Sequence, residues 1–155
     1  MAIAYFDPFS GASGDMILGA LLDAGLSLEA LSQDLSKLGI TGYTLQAEPA
    51  QQHGITGTRI QVAVTDDQPA RTWPVIRSLI QQSRLDSQVK QQALAIFERL
   101  ARAEATVHGI APEDVHFHEV GAVDAIVDIC GACIGLALLG IERVYCGPFR
   151  LGSGF

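Results

Sequence analysis

Ala2-Ile3-Ala4-Tyr5-Phe6-Asp7-Pro8-Phe9-Ser10-Gly11-Ala12-Ser13-Gly14-Asp15 reads as a short apolar strand, a glycine- and serine-rich turn, and the start of a helix. The helix continues to about Ala24, with Ile17, Leu18, Leu21 and Leu22 at helical spacing and Gly25 as its stop. Strand, turn and helix in that order present backbone N–H groups to an anion. The turn is not a P-loop, because the G-x-x-x-x-G-K-[ST] pattern is absent and no lysine lies nearby. One reading makes Asp7 a ligand for a metal or a hydroxyl, with Ser10, Ser13 and the amides of Gly11 and Gly14 holding a phosphate or carboxylate. Asp15 repels such an anion unless a cation sits between them. The other reading is local: Ser13 caps the helix, the glycines turn the chain, and Asp15 complements the helix dipole.

The same pattern returns near the end of the sequence. Tyr5 to Gly14 aligns without gaps to Tyr145-Cys146-Gly147-Pro148-Phe149-Arg150-Leu151-Gly152-Ser153-Gly154, with five of ten positions identical. A final strand is expected over Arg143 to Phe149. If it lies parallel to the first, both turns reach one carboxyl edge, which is where open α/β sheets bind ligands. The fold class is therefore α/β, with α+β as the alternative: a small mixed sheet with about five helices packed on it. Residues 1–155 form a single domain, and the end at Phe155 inside the second turn gives the expectation of an N-terminal part of a longer protein.

Between these turns lies His116-Phe117-His118-Glu119-Val120-Gly121-Ala122-Val123-Asp124-Ala125-Ile126-Val127-Asp128, two imidazoles and three carboxylates that run into an apolar helix. Ionisable groups at the edge of a core must be satisfied. In an extended segment His116 and His118 point to one side. In a helix that begins near Gly121, Asp124 lies in the first turn and Asp128 shares its face. Imidazole nitrogens and carboxylate oxygens at a helix start suit a borderline divalent metal, or a phosphate brought in with one. The plainer alternative has Asp124 complementing the dipole and the histidines hydrogen-bonded in a loop.

The remaining segments read as scaffold. Ser27 caps a helix carrying Leu28, Leu31, Leu35 and Leu38; Tyr43 to Ala47 and Thr58 to Val64 form an antiparallel pair about His53 and Gly54; Thr72 caps a helix carrying Trp73, Ile76, Leu79 and Ile80. The longest helix opens at Asp86 and stops at Gly109, and Arg71, next to a helix start, is read as a solvated arginine in preference to a phosphate contact. The last helix packs closely through Gly131, Ala132 and Gly135. Cys130 and Cys133 spell C-x-x-C within its apolar run, where packing is the favoured reading over redox or zinc chemistry. A net charge of −7 argues against a nucleic-acid or anionic-membrane surface. The run Ile129 to Ile141 is too short to span a bilayer, and the N-terminus lacks a signal peptide, which points to a cytoplasmic protein.

Three separated motifs in this order, Asp7 to Met16, Ala103-Glu104-Ala105-Thr106-Val107-His108-Gly109 and Val115 to Asp124, resemble the N-terminal part of the LarC family of nickel-insertion proteins. The resemblance covers essentially the whole chain. It implies insertion of nickel into pyridinium-3,5-bisthiocarboxylic acid mononucleotide, giving the nickel-pincer nucleotide cofactor of lactate racemase, with CTP consumed and Mn or Mg assisting. Asp7, Ser10, Gly11, Ser13, Gly14 and Asp15 fall in the family's first loop and would bind the nucleotide. His116, His118, Glu119 and Asp124 fall in its second motif; their chemistry, and not the resemblance, gives the expectation that they hold the metal, with Glu119 and Asp124 also catalytic. A homo-oligomer, the apo racemase as client and the protein's own C-terminal domain, with the CTP site outside this chain, are further implications. Many family members carry a histidine-rich run before the third helix, whereas Thr65 to Trp73 contains none, which leaves metal storage on that segment without a basis.

Two other classes of function stand beside the enzyme. A non-catalytic assembly module would dock the client or the missing domain through an exposed apolar patch. A Mg-dependent phosphotransferase ranks lower, because no basic residue lies in the first loop to neutralise phosphoryl charge.

Overall fold

The last helix, α5 (Val123–Leu138), forms the axis of the molecule. Its sequence is apolar around most of its circumference, and Val123, Ile126, Val127, Cys130, Gly131, Cys133, Ile134 and Gly135 are all buried. Such a helix needs neighbours on several sides. It finds them in α1 (Gly14–Asp23), α2 (Leu28–Ser36) and α4 (Ser87–His108). The two glycines let these neighbours approach: a Cβ on Gly131 would lie 3.1 Å from Leu18, and one on Gly135 2.8 Å from Leu21 and 2.9 Å from Leu26. Leu18, Leu31, Leu35 and Phe97 are fully buried around this axis, each contributing roughly 1.5–3 kcal/mol by leaving water. The structure is a computed structural model that describes residues 2–9, 11–52, 54–65, 71–117 and 120–149.

Among these residues are five α-helices and four strands, the mixed α/β architecture expected from the sequence. The strands form two separate pairs. β1 (Ala2–Phe6) and β4 (Ile141–Cys146) lie parallel, with Tyr5 opposite Tyr145 and Phe6 opposite Cys146. β2 (Tyr43–Gln52) and β3 (Ile55–Val64) form an antiparallel hairpin from Tyr43↔Val64 to Gln52↔Ile55. The hairpin is longer than its sequence suggests, because Pro49 and Gly57 read as breakers. In a two-stranded pair both strands are edges, so a proline without an N–H is tolerated there. The expected turn residue His53 lies outside the described residues.

α1 holds the hairpin against the core. A Cβ on Gly19 would stand 2.3 Å from the Thr58 carbonyl oxygen, and the Asp23 carboxylate accepts from Thr58 N at 3.0 Å and Thr58 Oγ1 at 2.6 Å. These two bonds hold the Asp23 carboxyl below its ordinary pKa, the side-chain bond contributing most. On the other side, α3 (Trp73–Gln82) packs on α4, and Phe97 of α4 meets Phe117 with ring centroids 6.4 Å apart. Among the described residues no helix is long and apolar enough to cross a membrane.

The helix termini follow their caps. Ser27 accepts from Ala30 N, Asp86 accepts from Gln88 N, and Gly109 ends α4 at φ 66°. Thr72 and Ser13 occupy N-cap positions without a side-chain cap bond. Cys130 and Cys133 are buried free thiols, in keeping with a packing role. Burial raises both pKa values, that of Cys133 to about 11, which disfavours the reactive thiolate.

Candidate functional site

The site forms where the N-terminus of α1 meets the first two turns of α5. Gly14 is the first residue of α1, and its bare Cα faces Asp128: a Cβ there would lie 2.4 Å from both Cβ and Oδ2 of Asp128. The glycine whose amide the sequence offers to an anion therefore also makes room for a carboxylate. Asp124 lies in the first turn of α5 and accepts from Ala125 N at 2.9 Å, and Asp128 follows it one helical turn later. On the α1 side the Ser13 hydroxyl donates to Asp15, and Ser13 makes no side-chain cap bond to the helix.

Asp128 is the focus of this arrangement. Its Oδ1 is shut off from solvent and has no hydrogen-bond partner among the described residues. Burial, then the charges of Asp15 and Asp124, push its carboxyl up to about 6. The first loop and the second motif thus meet through Asp15, Asp124 and Asp128, although they are separated by about a hundred residues of chain. The sequence places Asp128 in the constellation, on the face of Asp124, but the ligand assignment stops at Asp124. The signal that could have found it is an acid inside an apolar helix with no basic residue at helical spacing.

Asp7 is exposed beyond the end of β1, where backbone bonds from Phe9 N to Asp7 O at 2.9 Å and from Gly11 N to Pro8 O at 3.1 Å shape the turn. Gly11 takes φ 93°, a conformation that favours glycine. Gly147, in the segment after β4, donates to the Phe6 carbonyl at 2.8 Å, and a Cβ on it would lie 3.4 Å from Asp7 Oδ1. The segments that follow β1 and β4 accordingly leave the same carboxyl edge side by side. Ser10 and residues 150–155 lie outside the described residues.

The second motif is pinned by backbone contacts. His116 bridges Thr72, Trp73 N donates to Val115 O at 3.2 Å, and Arg71 N donates to Gly121 O at 3.1 Å. Arg71 is half-buried rather than solvated, with its Nη1 shielded from water. His116 is exposed and Phe117 is buried, the alternation expected of an extended segment. His118 and Glu119 lie outside the described residues. No three His, Cys, Asp or Glu side chains among the described residues stand close enough to enclose a metal ion. In the described part of the site one carboxyl, Asp128, feels the charges of two others, Asp15 and Asp124, and a cation would relieve that repulsion.

The chain matches the family model described as nickel insertion protein over residues 4–155. It is 56% identical to a provisionally named nickel insertion protein of Syntrophobacter fumaroxidans, over the whole of this chain and 40% of the relative. It is 50% identical to the pyridinium-3,5-bisthiocarboxylic acid mononucleotide nickel insertion protein of Desulfitobacterium hafniense, over the whole of this chain and 39% of that relative. The chain thus spans about two fifths of the length of these relatives. No solved structure matches it.

Proposed function

The chain belongs to the nickel insertion protein family, and on that premise we propose that it carries the metal-handling face of an enzyme that inserts nickel into pyridinium-3,5-bisthiocarboxylic acid mononucleotide. The product in this reading is the nickel-pincer nucleotide of lactate racemase, made in the cytoplasm with CTP consumed at a site outside this chain. The observation that carries the reading is Asp128, whose carboxyl is pushed up to about 6 by burial and by the charges of Asp15 and Asp124, with one oxygen buried and unbonded among the described residues.

Nickel is here a substrate that must be bound and then released to carbon and sulfur, so its protein ligands have to be labile. Asp124 and Asp128 supply hard oxygen donors, and His116 with His118 supplies the imidazoles that suit a borderline cation. A bound cation would favour the ionised form of Asp128, because a positive charge inverts the local electrostatic preference. Forming a carbon–nickel bond releases the proton of that carbon, and Glu119 or Asp124 accepts it as general base. The loop of Asp7, Ser10, Gly11, Ser13, Gly14 and Asp15 orients the nucleotide phosphate. Asp15 and Asp128 would repel that phosphate; these acids would hold Mn or Mg, which would supply the positive charge that offsets the repulsion.

Calorimetric titration of the full-length protein with nickel tests the assignment. Asp124→Asn combined with Asp128→Asn, and separately His116→Ala combined with His118→Ala, are each expected to weaken binding by at least about tenfold, the size expected when a metal ligand is lost. Unchanged affinity in both double variants would remove nickel from these residues.

A further inference from the structure

Among the described residues, β1 and β4 form a parallel pair with almost nothing packed on it. Parallel sheets occur with helices on both faces, and two strands alone are marginal in water. Here β1 packs chiefly on β4, and β4 on β1 and the end of α5. Ile3 and Tyr5 of β1 are 55% and 66% exposed, and Val144 and Tyr145 of β4 are each 50% exposed. Consecutive residues point to opposite faces of a strand, so the exposure of Val144 and Tyr145 means that both faces are open. The apolar surface continues past the strands to Phe9 and Phe149, 66% and 57% exposed.

We propose that this pair is part of a larger sheet, completed within the same polypeptide by the additional sequence that the longer relatives carry. Its length is sufficient, since the matched region is only 40% of the Syntrophobacter relative, and the rest is more than enough for further β-α units. A second copy of this chain fits less well. Pairing edge to edge would cover one edge and leave Tyr5 and Tyr145 projecting from uncovered faces. The completing segment also bears on the candidate site, because the open pair ends at the carboxyl edge where Asp7 and Gly147 lie together.

The test places p-benzoyl-phenylalanine at Tyr5 and, separately, at Val144 of the full-length protein, with Val107, 80% exposed on α4, as the control position. After irradiation, crosslinks from positions 5 and 144 are expected to run to sequence beyond residue 155, in a product that migrates as a single chain on a denaturing gel. The control is expected to give no such product. Crosslinks that join two chains would show that a second copy covers the face. Crosslinks confined to residues 1–155, or none from either position, would show that the added sequence does not cover it. Either result overturns the proposal. Because this readout involves no metal, it can fail while the nickel assignment stands, and the converse holds as well.

Discussion

Asp128 lies against the bare Cα of Gly14, and its environment sets the sign of two pH effects. Its carboxyl is raised from 3.8 to about 6 by burial, with Asp15 and Asp124 adding to the shift. A carboxyl whose pKa is higher folded than unfolded binds its proton more tightly in the native state. Its ionised form therefore destabilises the fold above pH 6, and that cost fades as the pH falls from 6 towards 4. Asp128→Asn is expected to stabilise the protein at pH 7.5 by about 1 kcal/mol, a figure already reduced because the group is half-exposed and screened. Thermal unfolding at pH 7.5 and 4.5 checks this. The gain should shrink to about a third at the lower pH, and a loss of stability at pH 7.5 would mean that the carboxylate has a partner. The same proton competes with a metal, so nickel affinity in the full-length protein should fall as the pH drops below about 6. Calorimetry at pH 7.5 and 5.5 measures it, and a flat response would exclude Asp128 as a ligand.

Among the elements, two glycines separate tight packing that can yield from tight packing that cannot. A Cβ at Gly135 would press on the methyl ends of Leu21 and Leu26, which can rotate away. A Cβ at Gly121 would meet Arg71 O at 2.5 Å, Arg71 N at 2.7 Å and Phe117 O at 2.8 Å, all backbone. Gly135→Ala is thus expected to cost about 1 kcal/mol and Gly121→Ala about 3 kcal/mol, the upper part of the range for overpacking. Urea denaturation of the two variants would reverse this order if the 115–121 segment shifts freely. From sequence Gly121 reads only as a helix start, because its reason is a contact with a segment fifty residues earlier. What the sequence does disclose is local. Ser27, Asp86 and Gly109 mark helix ends through their own side chains or φ angles, and the leucine spacing of α2 names its buried face. The parallel pairing of β1 and β4 is legible for a different reason, the repeated Tyr-x-x-Pro-Phe at both strand ends. The division into two sheets and the burial of Asp128 are not legible, since both depend on which faces α1 presents to α5 and to β3.

At the scale of the molecule, the packed and the open regions are different parts of the chain. The core of Leu18, Leu31, Leu35, Ile76, Ile80, Phe97, Ile126 and Ile134 is closed by helices and the hairpin, and among the described residues no buried core member comes from β1 or β4. Stability should therefore reside in the helices, while the parallel pair contributes exposed apolar surface. If so, residues 1–155 expressed alone should unfold cooperatively in urea and still bind a hydrophobic dye such as ANS, because Tyr5, Phe9, Tyr145 and Phe149 are each at least half exposed. Tyr5→Lys combined with Tyr145→Lys should remove most of the dye signal. It should also shift the unfolding free energy by less than about 0.5 kcal/mol, as for substitutions away from the core. In the full-length protein the same pair of lysines should instead be costly, since it would place two charges at a covered face. Equal tolerance in both lengths would mean that this face is solvent-exposed in the complete molecule and that the carboxyl edge beside Asp7 is organised without help from added strands.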